Sequence, residues 1–552
     1  MDKQKMKFKR SAELIAILSK YGFNEFLIQS KLKKAEDLKI YTKESPTNTS
    51  EIHLYERIRM AIEELGATFI KLGQTFSNRE DLLPEGLILE LKKLQDKVEP
   101  ISLDIRPFIE QQLEIDSKLY FKSIDESPLA SASISQVYKA FLSDGTPVIL
   151  KIKRPGIRAQ VVADLLLMKD IAKILVATSE TFRKIRLLQV IESFEKSIFE
   201  ELSFYNEINN IEQFAQNFKD NPNIFTLKAY RELSNDAILC MDFVDGIKIS
   251  DKKAIESQGL VPATIAQKGL DLYMTQVIEH GFFHADPHPG NIFVLPNSQI
   301  AFIDFGSMGK MLPKDKELLE DFIMNFIAKD AKRLIRTIKK MALEVNIEDE
   351  DKLEREIAAI FELLDNDSLV DLDLKVVLKK FTNLLNNNDV LMPEYLYLLI
   401  RGIILIEGIG RTLDPQMNLV NSVRPYIKKI VKRRLDPNYI FNKLLHTFRY
   451  LHDNLSELPE NTNQILTQLK EGKLTIQQEN KDLAQANKAV AAAINRLAYT
   501  VLISGGYIAS ALLIFSDKSP KIFNISLFGI LGLILSTGLS IIILLSIFKK
   551  VK

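Results

Sequence analysis

A single cysteine in 552 residues, Cys240, excludes an internal disulfide framework and fits a reducing compartment. Net charge is nearly absent as well: a formal +1 at pH 7 gives no global pull toward nucleic acid, so electrostatic partners must be found by local patches. The N-terminus reads without a cleaved signal, because Lys3, Lys5, Lys7, Lys9 and Arg10 precede only a short apolar run, Leu14 to Leu18. Charge is missing in a more telling way near the C-terminus. Residues 497–515 and 522–548 carry no charged side chain, and each is long enough to cross a hydrocarbon layer as a helix. Six residues join them, so the expectation is a two-helix transmembrane hairpin rather than a pair of buried core helices, since neither stretch has a polar face. Lys488 and Arg496 precede the hairpin and Lys549, Lys550 and Lys552 follow it, against Asp517, Lys518 and Lys521 in the link. That excess places the large N-terminal portion on the cytoplasmic side of the cytoplasmic membrane.

The rest has the composition of ordinary folded protein, with 46% hydrophobic and 26% charged residues, and its length exceeds one compact core. Residues 1–60 read as helical and polar, with Leu14, Ile15 and Leu18 before Gly22 and Phe23, Phe26 and Leu27 after it; Gly22 marks a break between two amphipathic helices. These pack on the main body or, through their lysines, touch a membrane. The run Ala67 to Gln74 reads as a helix, followed by a turn ending at Pro84, with Lys71 as a surface charge on composition alone.

From 128 to 157 the period changes to that of strands. Small residues, Ala130, Ser131, Ala132 and Ser133, lead into two β-rich runs around Ser143-Asp144-Gly145, which predicts a hairpin whose first loop lets backbone amides approach a phosphate. Lys151 lies in the apolar second strand. An unpaired ammonium is costly there, so it faces water at an edge or has a partner such as phosphate or a helix carboxylate. Candidate carboxylates lie in the helical run 188–218. Glu201 and Glu207 are six residues apart, a net rotation of about 240°, so they serve different partners or are solvated charges. Residues 237–246 form a buried strand running into a turn, with Cys240 in the core.

The chemistry concentrates in His284-Ala285-Asp286-Pro287-His288-Pro289-Gly290-Asn291, with Asp304-Phe305-Gly306 thirteen residues after the Asn. An Asp, four residues, an Asn and a downstream Asp-Phe-Gly is the spacing by which kinase-type sites hold a transferring phosphoryl group. The first Asp orients a hydroxyl or water; the Asn and the second Asp hold metal ions that bridge nucleotide phosphates. His280, His284 and His288 raise a zinc site as the rival, although the prolines break the helical spacing that such ligands favour.

Together these residues resemble the UbiB-type atypical kinases, also called the ADCK group. The resemblance rests on Lys71-Leu72-Gly73-Gln74, the alanine-rich loop 130–136, Lys151 with Arg154-Pro155-Gly156, Glu207 with Asn210, His284 to Asn291 and Asp304-Phe305-Gly306. It extends to Arg401-Gly402 and to Glu407 through Pro415, and covers roughly residues 60–420. It implies an α+β, bilobal protein-kinase-like fold and a cofactor pair of ATP and Mg²⁺. By the same resemblance Lys151 contacts phosphate and pairs with Glu207, Asp286 is the catalytic carboxylate, and Asn291 and Asp304 are the metal ligands. Met241, Asp242 and Val244 stand at the hinge that meets the adenine. Lys71 with Gln74 forms a signature helix over the place of a peptide substrate and pairs with Glu201. Three positions depart from the family pattern: Ser203 replaces the second acid of a Glu-x-Asp pair, Ser135 an alanine or glycine, and Asp242 a glutamate.

Beyond Gly306 helices dominate to residue 480, with an acidic run at Glu348, Asp349, Glu350 and Asp351 and a basic one at Lys428, Lys429, Lys432, Arg433 and Arg434. Such runs are solvated faces, or here a contact with anionic headgroups. The expected organisation is an N-terminal helical extension (1–100), two kinase-like lobes (101–246 and 247–435), a helical connector (436–496) and the hairpin (497–548). The function implied is an ATPase or a small-molecule or lipid kinase in isoprenoid quinone biosynthesis or membrane lipid homeostasis. Its partners would be membrane lipid and quinone-biosynthesis proteins or precursors, with no nucleic acid. Protein phosphorylation in trans and a nucleotide-switched scaffold are the rival functions.

Overall fold

The computed structural model describes residues 3–24, 53–77, 83–94, 99–184, 186–366, 374–417, 419–441, 444–445, 481–514, 520–522 and 525–548. The expected second N-terminal helix, most of the connector and the link of the expected hairpin lie outside these residues or on their edge. Two compact units divide the chain, Met1–Tyr439 and Ile440–Lys552.

In the first unit the change of period at 128–157 gives the expected hairpin. Strands β1 (Phe121–Ile124), β2 (Ala130–Ser131), β3 (Ser135–Leu142), β4 (Pro147–Lys153) and, after β5 (Ile224–Phe225), β6 (Ile238–Asp242) include one antiparallel sheet in the order β1-β3-β4-β6, with β2 added beside β3. Gly145 takes φ 89° in the β3 to β4 turn and the Asp144 carboxylate accepts from Thr146 N at 2.8 Å, the Asp-Gly geometry that fixes the register. That register sets Lys151 between Val137 and Leu239, in a central strand, so the edge-strand alternative for this lysine fails.

Six of the helices bear on the site from the N-terminal side: α1 (Lys3–Lys20), α2 (Leu54–Leu65), α3 (Ala67–Ser77), α4 (Glu85–Leu91), α5 (Ile157–Thr178) and α6 (Leu187–Glu201). Gly22, at φ 81°, follows the end of α1 as expected. Leu14, Phe69, Val161, Leu165 and Ile198 share one apolar cluster. A polar staple runs through it. The fully buried Asp164 of α5 accepts from Arg10 Nε of α1 at 2.7 Å and from the Thr68 hydroxyl of α3 at 2.7 Å, while Arg10 Nη2 donates to Leu65 O at 2.8 Å. Burial pushes the Asp164 carboxyl up, and the Arg10 and Thr68 hydrogen bonds oppose that shift. Helix α1 is thus packed on the body, by the first of the two readings above.

The long helical run 188–218 is interrupted. Its first part ends at Glu201, and Ser203 caps α7 (Phe204–Asn217) by accepting from Asn206 N, so the angular argument over a continuous helix does not apply. Glu201 closes one helix and Glu207 lies in the first turn of the next, which still gives them different partners.

Further on, α8 (Pro262–Met274) runs into a wider turn of π geometry, Thr275–His280, that precedes β8 (Phe282–His284). A second sheet has the order β5-β10-β9-β7, with β7 (Ile247–Lys248), β9 (Ile292–Val294) and β10 (Ile300–Phe302). Strand β8 pairs with β11 (Met308–Lys310), where Gly309 is required because any Cβ would fall inside the Phe283 ring. Helices α9 (Pro313–Ile327), α10 (Glu394–Leu413) and α11 (Leu419–Arg434) extend the largest apolar cluster below these strands. The basic run on α11 is paired in part, while Lys428 and Lys432 are exposed as a solvated face would be. Arg433 and Arg434 both bond Glu320, which is 1% exposed, Arg434 also holds Asp321, and Lys429 meets Glu279 at 2.8 Å. Local sequence could not show those acids, which come from α9 and from the turn after α8.

In the second unit α12 (Lys481–Ile514) and α13 (Leu527–Phe548) pack along small residues, with Gly506 against Ser536, Gly532 against Ser510 and Gly529 against Ile514. Among the described residues one helix segment, Leu497–Ile514, is long and apolar enough to cross a membrane; Leu527–Ile541 is a shorter apolar helix.

The staple sets a prediction. Asp164→Ala removes the buried carboxylate from Arg10 and from the Thr68 hydroxyl and leaves Arg10 only the part-exposed Glu13, a loss of roughly 3 kcal/mol. Hydrogen exchange of backbone amides in α1 and α3 is expected to accelerate about a hundredfold, at 1.4 kcal/mol per tenfold, with Asp164→Asn intermediate.

Candidate active site

The register of β4 points Lys151 toward α7, and the first turn of α7 brings Glu207 to it. Lys151 Nζ lies 2.8 and 3.0 Å from the two Glu207 oxygens and 3.4 Å from Asp304 Oδ1. Glu207 is 2% exposed at its side chain, whereas Asp304 is 44% exposed and can offer its carboxylate outward. Burial disfavours the Lys151 ammonium, but Asp304 and Glu207 outweigh it and raise its pKa above the ordinary value. Burial also works against the Asp304 carboxylate, yet Lys151 and the Gly306 N–H, 3.1 Å away, hold it ionised well below the usual range. The cluster therefore carries one cation and an outward-facing anion. Burial pushes Glu207 upward against the pull of Lys151.

Phe305 anchors this arrangement. It is 1% exposed, sits 5.0 Å from the Phe214 ring centroid and is held by Asn210 Nδ2 donating to its carbonyl at 3.0 Å. Helix α7 thereby fixes both Lys151, through Glu207, and the Asp304 segment, through Asn210.

His284 links that segment to the loop carrying Asp286. Its ring is buried; Nε2 meets the Asp304 carbonyl at 2.5 Å and Nδ1 accepts from Asp286 N at 3.1 Å. Burial lowers its pKa, so the ring is neutral with the proton on Nε2, the tautomer both partners demand. Gln276, in the wide turn after α8, accepts from His284 N at 2.9 Å and fixes the strand from behind. His280 lies edge-on to Phe218 and His288 accepts from Gly290 N at 3.2 Å, so the three histidines do not converge on one metal. Among the described residues no group of three or more His, Cys, Asp and Glu gathers to hold a metal. What is present suits a hard cation instead: the Asp304 carboxylate and the Asn291 amide, oxygen donors of the kind that hold Mg²⁺ together with nucleotide phosphates.

Asp286 is half-exposed. Its Oδ2 is 2.9 Å from Arg401 Nη2 of α10, and its Oδ1 is buried with no hydrogen-bond partner among the described residues. In the sequence Arg401 stands within Arg401-Gly402, part of the family resemblance, with no role attached to it. The available signal was that of Lys151, a lone cation within an apolar run, here from Tyr395 to Ile406.

Lys71 lies 2.8 Å from Glu201 Oε1, at the end of α6 beside Gly306. On the same helix as Lys71, a Cβ on Gly73 would overlap the end of the Leu94 side chain, and Gln74 Nε2 donates to Leu94 O at 3.3 Å. The small-residue loop at 130–133 is clamped rather than open. Arg154 donates to Ala132 O at 2.9 Å and to Ser131 Oγ at 2.7 Å, while Ser133 is buried and Ala130 exposed. Gln136 adds a tie that sequence did not reveal, bonding both the N–H and the carbonyl of Ile101. In β6, Met241 is buried and the Asp242 carboxylate is committed to Lys228 N and the Tyr230 hydroxyl; Val244 follows β6.

Three family models match the chain: the ABC1 atypical kinase-like domain over residues 93–338, the UbiB helical domain over 357–418 and the ABC1/UbiB kinase-like C-terminal domain over 481–549. An "Uncharacterized protein in hydrogenase 1 5'region" of Clostridium pasteurianum is 32% identical over 543 residues, covering 98% of this chain and 99% of that one. "Probable protein kinase UbiB" of Shewanella halifaxensis is 35% identical over 411 residues, 73% of this chain and 75% of that one. The protein of the same name from Shewanella loihica is 32% identical over 481 residues, 86% and 87% of the two chains. The chain belongs to the UbiB family of ABC1-type atypical kinase-like proteins.

Proposed function

We propose that this protein binds Mg²⁺-ATP in a bilobal kinase-like site and acts as an ATPase or small-molecule kinase, anchored to the cytoplasmic membrane by α12 and α13. The observation that carries this reading is the buried Lys151 to Glu207 pair with Asp304 3.4 Å away and exposed. A cation held ready for phosphates beside an outward carboxylate is what phosphoryl transfer needs, because catalysis there rests on positioning and charge neutralisation. Magnesium, when bound by Asp304 and Asn291, would neutralise the phosphate oxygens. Asp286 orients the acceptor hydroxyl or water, and Met241 to Val244 receive the adenine between the 101–246 and 247–435 lobes.

Lys71 on Glu201 favours a small acceptor over a peptide. Helix α3 is tied beside Gly306, in the region that a peptide substrate of a conventional kinase would need. The resemblance to the UbiB group implies quinone biosynthesis as the process, and the apolar C-terminal helices support a membrane-embedded isoprenoid quinone precursor or a lipid as the beneficiary of turnover. Phosphorylation of proteins in trans and a nucleotide-switched scaffold use the same nucleotide residues and are separated by experiment.

Full-length protein in anionic lipid nanodiscs is expected to hydrolyse ATP only with Mg²⁺, and Asp304→Asn is expected to lower kcat roughly a hundredfold or more. Equal turnover by wild type and Asp304→Asn sinks the proposal; Mg²⁺-ATP binding without turnover favours the scaffold. Lys71→Ala removes a half-exposed ion pair worth about 0–1 kcal/mol, so the melting temperature should hardly move. Turnover should nevertheless drop about tenfold, the scale of a partner acting on a metal ligand from outside its coordination shell. Phosphate incorporated into added peptide by wild type would instead support the protein-kinase alternative.

A further inference from the structure

Arg401 lies beyond the stretch matched by the kinase-like family model. It lies in α10, within the 357–418 stretch matched by the helical-domain model, while the kinase-like model ends at residue 338. Its neighbours along α10 are apolar, and its own side chain is half-exposed. The partner it reaches, Asp286 Oδ2 at 2.9 Å, is the carboxylate at the head of the catalytic loop. The fold enforces this meeting. A Cβ on the adjacent Gly402 would overlap the Tyr273 hydroxyl and lie 3.3 Å from the His284 carbonyl, so α10 is pressed directly against the loop at that turn. Asp286 Oδ1 is left buried and without a hydrogen-bond partner among the described residues. Inside the loop, the side chain between Asp286 and Asn291 with a basic group is His288, and its Nδ1 is turned to the Gly290 amide.

We propose that Arg401 is the positioning residue for Asp286, a cation supplied by the helical domain that holds the carboxylate in place for the acceptor. The assignment rests on the phosphoryl-transfer reading above. In that step the acceptor oxygen bonds to the γ-phosphorus and the bond from phosphorus to the bridging oxygen breaks, its electron pair leaving with ADP. The acceptor proton passes by way of the half-exposed Asp286 carboxylate to solvent. Arg401 takes no part in that exchange. It fixes the carboxylate rotamer and offsets negative charge where Asp286, Asp304 and the phosphates converge. One consequence is a coupling of the helical domain to turnover, since any shift of α10 moves the group that aims Asp286.

The test compares wild type, Arg401→Gln, Arg401→Lys, Asp286→Asn and the Arg401→Gln/Asp286→Asn pair, all full-length in nanodiscs with Mg²⁺-ATP. Arg401→Gln is expected to lower kcat about 10- to 100-fold, the range for residues that orient a catalytic group, with KM for Mg²⁺-ATP within about twofold. Arg401→Lys should recover part of the loss. The double variant should be no slower than Asp286→Asn alone, because Arg401 acts through Asp286. Unchanged kcat in Arg401→Gln, losses that multiply in the double variant, or a change in KM alone would each overturn the assignment. If Arg401→Gln does not fold, Arg401→Lys with and without Asp286→Asn decides by the same comparison. Wild type without Asp304-dependent turnover overturns the phosphoryl-transfer reading and this assignment together; wild type that turns over beside equally active Arg401 variants overturns the assignment alone.

Discussion

A lysine in the middle of a sheet is the constraint from which the site is built. Lys151 cannot sit between Val137 and Leu239 without a counter-charge, and Glu207 supplies one at 2.8 Å from a position that is itself out of water. Neither charge is stable there alone, since stranding one member of a buried pair costs roughly 3–5 kcal/mol. The pair therefore fixes α7 against the sheet. From α7, Asn210 holds the Phe305 carbonyl, and Phe305 in turn sets the carboxylate of Asp304 beside Lys151. One electrostatic requirement thus orders a strand, a helix and a loop that are far apart in sequence.

Around this centre the chain adds two groups that come from elsewhere, Lys71 on α3 and Arg401 on α10, and each ends on an acid near the loop segments. Both are half-exposed pairs, so their worth to stability is small. Their helices pack closely at the neighbouring glycines, Gly73 and Gly402. Tight placement of weakly stabilising ion pairs is the pattern expected of groups kept for geometry.

The motifs of the candidate site were legible in the sequence because their chemistry is tied to short spacing, as in Asp286 to Asn291, or to a burial argument, as for Lys151. The Asp-Gly hairpin was legible from its period and turn chemistry. What sequence could not give were contacts set only by tertiary approach: Arg401 on Asp286, Arg10 on Asp164, and the acids that engage the α11 arginines. The break at Ser203 was missed for a different reason. Apolar spacing continues across it, and the capping serine was read as a departure from a family pattern rather than as a helix start. A pair of apolar C-terminal helices was visible from composition alone, and their packing along Gly506, Ser510, Gly532 and Ser536 follows from the small residues in those stretches.

The account stands or falls on whether the Lys151, Glu207 and Asp304 cluster is a nucleotide site. Calorimetric titration of the full-length protein with ATP, with and without Mg²⁺, addresses this without relying on turnover. Saturable binding that requires Mg²⁺ and is lost in Lys151→Met is the predicted result. Equal ATP affinity in wild type and Lys151→Met, with Mg²⁺ making no difference to either, would contradict it.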